Sequence, residues 1–251
     1  MSITYRIGAV LRALKGKRRP YTTAIILAGG VGSRMQSEDG LTKQLMLLDG
    51  IPVLMRSAIA FEKSEYIDEI VIVSRKEELS SVALLAKEYA LTKLTRIVSG
   101  GKTRRLSALR GLRSVSKCTK FVAFHDAARC LVTPKTIASV ASAAYAVRAA
   151  SAGCASVDTV KRVNENGYIV ETLDRERIYR AQTPQIFEIN LYRAAAYSAK
   201  DDDGITDDNM LVERVGQAVK MVDTGNENIK LTTPLDFKIA EAILAARREE
   251  E

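Results

Sequence analysis

Five short stretches of this 251-residue chain join small loop residues to side chains able to handle phosphate. The first runs Leu27-Ala28-Gly29-Gly30-Val31-Gly32-Ser33-Arg34-Met35 and is followed by Lys43-Gln44. Glycines let a backbone turn its N–H groups toward phosphate, and Arg34 and Lys43 supply mobile cationic donors. No Gly-Lys-Ser/Thr follows, so this is not a P-loop, and Met35 stands where a dinucleotide fingerprint needs its third glycine. A surface turn with solvated charges is the alternative. The second stretch is Ser99-Gly100-Gly101-Lys102-Thr103-Arg104, with Ser107 beyond it. Backbone groups at a glycine pair can read a base edge, and a helix N-terminus favours an anion; a plain strand-to-helix turn is the commoner explanation. The third is His125-Asp126-Ala127-Ala128-Arg129. An acid at a strand's carboxyl end beside small residues suits a divalent ion or ribose hydroxyls. His125, the only histidine, is weighed as a general base against a hydrogen-bonded structural group, and the structural role is favoured. The fourth pairs Thr172-Leu173-Asp174-Arg175 with Gln182-Thr183-Pro184-Gln185, and the fifth is Asn228 to Pro234; a salt bridge and a polar edge strand are the plainer readings there.

These residues need elements to position them. Thr23 to Leu27 reads as a buried strand, Pro52 to about Lys63 as an amphipathic helix, and Glu69 to Ser74 as a second strand. A helix over 77–90, a strand over 95–99, a helix over 104–114 and a strand over 120–124 ending at His125-Asp126 follow. Pro134 opens an alanine-rich helix to about Ala149, with a strand over 152–157 after it. Strands alternating with helices predict a Rossmann-like α/β fold, a mostly parallel twisted sheet with helices on both faces, and ligands beyond the strands' carboxyl ends. The rhythm changes at Asp158. Two alternating runs, 158–163 and 167–172, flank an Asn-Gly turn and predict a projecting β-hairpin arm. The chain returns through 181–187, a helix near 190–199 and an acidic loop at 201–204. A helix from Thr206 as N-cap to Val215, a strand at 218–222, a helix from Pro234 to about Ala246 and a frayed tail complete the reading.

Lys plus Arg number 38 against 30 Asp plus Glu, a formal charge of +8. Six of those charges lie at Arg6, Arg12, Lys15, Lys17, Arg18 and Arg19, ahead of the first acid, Glu38. Residues 1–21 therefore form a basic extension and 22–247 a single domain, with the arm at about 156–180. An extension touching nucleic acid or an anionic surface is one reading; a solvated one is favoured, because there is no Trp and aromatics are 6%. Apolar residues at 47% and charged residues at 27% are globular proportions. No apolar run reaches the length of a membrane span, and no secretory signal is visible. Three scattered cysteines, Cys118, Cys130 and Cys154, argue for a reducing, cytoplasmic setting, and metal-ligand spacing is absent.

Taken in order, L-A-G-G-V-G-S-R-M…K-Q, G-G-K-T-R-R-L-S, H-D-A-A-R, T-L-D-R, A-Q-T-P-Q, I-T-D-D and N-I-K-L-T resemble the 2-C-methyl-D-erythritol 4-phosphate cytidylyltransferase family of the non-mevalonate isoprenoid pathway, over about residues 22–246. The resemblance implies transfer of a cytidylyl group from CTP to methylerythritol phosphate with release of pyrophosphate and a requirement for Mg²⁺. It also implies roles. Arg34, Lys43 and Lys230 would be catalytic. Ala28, Gly29, Gly30, Gly101, Lys102, Ser107 and Asp126 would contact the cytidine nucleotide, with Asp126 also near the metal. Arg129, Arg175, Thr183 and Lys230 would hold the sugar phosphate. The arm would reach into a partner's site in a homodimer, so Arg175 would act in trans; neither a membrane nor nucleic acid is implied.

The chain departs from the family pattern in places. The segment from Arg34 to Lys43 is about two residues longer than usual, with Thr42 in place of a common proline, and Cys130 replaces another. Val157 stands where a basic residue is common and resembles the ribitol 5-phosphate cytidylyltransferases, a sister family that gives the second functional reading. A nucleotide-binding module without turnover is the third.

Overall fold

The computed structural model describes residues 19–30, 42–199 and 204–249. Arg34 with its loop, the basic run through Arg18 and most of the acidic loop at 201–204 lie outside the described residues. In chain order the elements are β1 (Thr22–Leu27), β2 (Leu47–Leu48), β3 (Ile51–Pro52), α1 (Val53–Lys63), β4 (Glu69–Ser74), α2 (Leu79–Glu88), β5 (Leu94–Ser99), α3 (Arg104–Leu112) and β6 (Phe121–Asp126). Then come α4 (Pro134–Val147), β7 (Ala149–Ala155), β8 (Lys161–Val163), β9 (Ile169–Thr172), β10 (Tyr179–Glu188), α5 (Ile189–Ser198), α6 (Asp208–Arg214), β11 (Lys220–Asp223) and α7 (Pro234–Glu249).

Seven strands make one sheet in the order β11-β7-β10-β6-β1-β4-β5. β1 pairs in parallel with both β4 and β6, β4 with β5, and β11 with β7, while β10 runs antiparallel to β6 and β7. The period-2 alternation of β1 decides what covers it. Ala24 and Ile26 pack with residues of α1, α2 and α4 on one face, and Ile25 packs with α3, α5 and α6 on the other. Ile25 and Ile26 are fully buried, each worth about 2 kcal/mol by removal from water. Gly111 lets α3 come close, since a Cβ there would stand 2.4 Å from Ile25 Cγ2. The helices α1 and α3 lie on opposite faces, so the connections after β1 and β5 leave the sheet in opposite directions. A crevice opens at the carboxyl ends of β1 and β6, the topological switch point.

The sequence reading fails at several boundaries. Helix α4 stops at Val147, not near Ala149, because Arg148 takes a left-handed conformation (φ 74°) that closes the helix. Strand β7 then covers 149–155 in place of 152–157. Alanine favours helix locally, but tertiary pairing wins: the backbone of 149–155 pairs with β10 on one side and β11 on the other, and Met221 of β11 packs over Gly153. The N-cap of α6 is Asp207, not Thr206; its carboxylate accepts from the Met210 N–H at 3.0 Å. The return through 181–187 is the ten-residue strand β10. The tail is helical through Glu249, with Arg247 paired to Glu227 and Arg248 to Asp49. Strands β8 and β9 form a separate two-stranded sheet whose residues are all exposed, as an arm requires.

Arg19, assigned by sequence to the extension, belongs to the folded domain. Its guanidinium donates to both oxygens of Asp68 at 2.7 and 2.8 Å and to Tyr66 O at 3.3 Å, and Asp68 also accepts from the Thr22 N–H at the start of β1. Arg19→Ala should lower stability by about 1–2 kcal/mol, the worth of a charge-assisted pair away from bulk water. In urea denaturation, a chain begun at Arg19 should match the full chain, and one begun at Tyr21 should match Arg19→Ala.

Candidate active site

The crevice is a cavity of about 470 Å³ lined by Leu27, Gly29, Gly30, Lys43, Gln44, Gly101, Lys102, Thr103, Arg104, Ser107, Asp126, Ala128, Lys230 and Thr232. Of the sequence-predicted residues, Gly29, Gly30, Lys43, Gly101, Lys102, Ser107, Asp126 and Lys230 therefore meet on one cleft. Ala28 lies just behind it, fully buried, its N–H on Val73 O. Arg129, Thr183 and Arg175 do not line it, and Arg34 lies outside the described residues.

Two glycine loops form the floor. Gly29 and Gly100 approach so closely that a Cβ at Gly29 would be 3.7 Å from Gly100 Cα. The N–H of Gly101 donates to Ser107 Oγ at 3.0 Å, and that hydroxyl donates to Thr103 O at 3.0 Å. Arg110 braces the same loop through Gly100 O and Ser99 O. Thr103 caps α3 by accepting from the Leu106 N–H at 3.1 Å. Gln44 ties the far wall to the first loop, donating through Nε2 to Gly30 O at 3.1 Å.

The third stretch supplies the acid. Asp126 ends β6, and its N–H donates to Thr183 Oγ1 at 3.1 Å. Arg129 O, 3.2 Å from His125 Nε2, can only accept, so the neutral ring carries its proton on Nε2 and Nδ1 accepts from the Thr183 hydroxyl at 3.0 Å. His125 is fully buried, and burial pushes its pKa down to about 3, so it is neutral and structural. Arg129 also serves the scaffold: it donates to Asn228 O at 2.9 Å and Ala181 O at 3.3 Å. With the Leu231 N–H on Ala128 O, those bonds carry Lys230 to the cleft. Arg175 lies on the exposed arm and donates to Val157 O at 3.2 Å.

Arg104 is the residue the sequence reading left without a role. Its Nε donates to Asp126 Oδ1 at 3.1 Å, and its Nη1 lies 2.7 Å from Asp208 Oδ2. Lys230 Nζ donates to Asp126 Oδ2 at 2.7 Å. Burial would raise the pKa of Asp126, but Arg104 and Lys230 outweigh it and hold the carboxyl well below its usual range. A signal was legible: an arginine in a helix's first turn opposes the dipole and needs acids nearby. Which acids, 22 and 104 positions away, no local pattern tells.

The described lining carries Lys43, Lys102, Arg104 and Lys230 against the single acid Asp126, a field suited to a polyphosphate. Among the described residues no group of three His, Cys, Asp or Glu could hold a metal. One carboxylate beside cations fits a Mg²⁺ that arrives on phosphate oxygens, not an all-protein cage.

A cation-lined cleft at the switch point of a Rossmann-like sheet is suited to nucleotide phosphates, as a nucleotidyltransferase domain requires. The 2-C-methyl-D-erythritol 4-phosphate cytidylyltransferase family model matches residues 22–246. The chain belongs to that family. Curated relatives of that name include those of Syntrophus aciditrophicus, 42% identical over 90% of this chain and 97% of its own, and Lachnospira eligens, 40% identical over 87% and 96%. Among solved structures, the 4-diphosphocytidyl-2C-methyl-D-erythritol synthase of Anaerococcus prevotii aligns with a TM-score of 0.80 at 29% identity, covering 90% of this chain and 96% of its own.

The neutral His125 fixes a pH dependence. The unfolded chain takes up a proton near the ordinary value of 6.5, the folded chain only near 3, so stability must fall as pH drops through that window. Denaturation midpoints should decline between pH 7 and pH 5 with a slope of up to about 1.4 kcal/mol per pH unit. With no other histidine in the chain, His125→Asn should flatten that slope.

Proposed function

We infer that this chain transfers a cytidylyl group from CTP to 2-C-methyl-D-erythritol 4-phosphate, yielding 4-diphosphocytidyl-2-C-methyl-D-erythritol and pyrophosphate. Family membership across 22–246 carries the reading, and the cation-lined cleft suits it. The acceptor phosphate is already ionised and attacks the α-phosphorus in line, so the chemistry asks for positioning and charge neutralisation, not a base. The neutral, buried His125 agrees with that demand. Lys43 and Lys230, with Arg34 from outside the described residues, would stabilise charge at the α-phosphorus and on departing pyrophosphate. The loops at 28–30 and 101–107 would receive the cytidine, and Asp126 the ribose. Mg²⁺, held through Asp126 and phosphate oxygens, would supply further charge neutralisation when bound.

The acceptor phosphate would be held by Thr183, Arg129 and Arg175. Arg175 lies on the arm, which leaves Val163, Tyr168, Ile169 and Val170 more than half exposed. A hairpin that buries nothing against its own domain suits a homodimer in which each arm enters the other subunit's cleft. The free cysteines agree with a cytoplasmic setting, and no helix among the described residues is long and apolar enough to cross a membrane.

Pyrophosphate release with CTP, Mg²⁺ and methylerythritol phosphate tests the reaction; release with ribitol 5-phosphate instead would overturn the acceptor. Lys43→Ala should lower kcat by at least about a hundredfold, as for loss of a charge-stabilising donor. Co-expressing Lys43→Ala with Arg175→Ala should restore about a quarter of wild-type activity if sites form across the dimer, and none if each subunit is self-sufficient.

A further inference from the structure

Arg104 and Asp208 take no part in the proposed reaction, yet they form a close ion pair beside the cleft. Arg104 lies in the first turn of α3, where the helix dipole disfavours a cation, and its side chain is 30% exposed. Asp208, on α6, is 2% exposed at its side chain. Its Oδ1 accepts from Tyr192 Oη at 2.6 Å, and its N–H donates to Gln185 Oε1 at 3.0 Å. Its Oδ2 is buried and meets no aligned donor, so its compensation is the Arg104 charge at 2.7 Å. A carboxylate fixed on two sides in this way fixes the guanidinium that faces it.

We propose that Arg104 is a positioning residue for Asp126, and that Asp208 acts on the nucleotide site through it. The proposal rests on the reading of Asp126 as a nucleotide-side ligand. The groups form a row: the Tyr192 hydroxyl, Asp208, Arg104, Asp126, Lys230. The two cations on Asp126 differ in mobility. Lys230 is a 42%-exposed ammonium on a flexible stem, free to leave Asp126 Oδ2 for an arriving phosphate. Arg104 spans two acids at once through Nε and Nη1, holding both in one plane with separate nitrogens, whereas an ammonium offers a single point charge on a flexible stem. When Lys230 turns to phosphate, Asp126 keeps its place through Arg104, with Oδ2 released to the ribose or to a nucleotide-borne cation.

The test is a double-mutant cycle on CTP affinity, measured by calorimetry without acceptor, alongside kcat. Arg104→Gln and Asp208→Asn should each weaken CTP binding by about tenfold, the scale for a hydrogen bond to a charged group, with a smaller change in kcat. The double variant should be no worse than Arg104→Gln, because Asp208 has nothing left to act through. Losses that multiply would overturn the proposal, showing that Asp208 serves only the packing of α6. Arg104→Lys should fail to restore affinity; full rescue would equally overturn it. Should Arg104→Gln not fold, the isosteric Asp208→Asn decides: wild-type affinity in that variant sinks the coupling. A wild type that binds no CTP strikes the assignment of the nucleotide site itself.

Discussion

Parallel pairing of β1 with both β4 and β6 is the constraint on which the rest depends. Parallel strands deliver their following loops to one edge of the sheet. The segments after β1, β5 and β6 share no sequence neighbourhood, yet they close one cavity for that reason. Because α1 and α3 cover opposite faces, no crossover bridges the gap between β1 and β6. The pairing is secured by burial: β1 and β4 are apolar on both faces, and neither has a register that would send its isoleucines to water.

The polar order at the cleft follows from that geometry. Residues at the end of β6 alternate in direction, so His125 points into the core against Phe61 while Asp126 faces the cavity. The buried imidazole then needs partners, and Thr183 and the Arg129 carbonyl provide them. Through Thr183 the same network holds the Asp126 backbone. The lone histidine, weighed as a general base in the sequence and favoured there as a structural group, is thus part of the frame that aims a carboxylate. The described lining keeps excess positive charge because Lys43, Lys102, Arg104 and Lys230 share it with the single acid Asp126.

Much of the frame was legible in the chain. The strands at 69–74 and near 95–99, the helix from Pro52, and the exposed hairpin around Asn166-Gly167 follow from periodicity, proline position and turn chemistry. The misjudged parts share a cause. The boundary at Arg148, the strand at 149–155 and the order through Glu249 are set by distant partners: β10, β11, Glu227 and Asp49. Alanine-rich sequence reads as helix until another strand claims its backbone.

Sequence alone determined which chemistries were available: phosphate handling from glycine loops with lysine and arginine, one candidate acid at a strand end, and no second histidine. It also carried, in ordered motifs, the resemblance that the comparisons place over residues 22–246. Tertiary structure decided how those groups are used. It turned His125 inward, tied Arg129 to Asn228 and Ala181 and Thr183 to Asp126 and His125, and joined Arg104 to acids 22 and 104 positions away. Local sequence fixes propensity and charge, but the partner of a buried ion is chosen by packing, and packing is a property of the whole sheet.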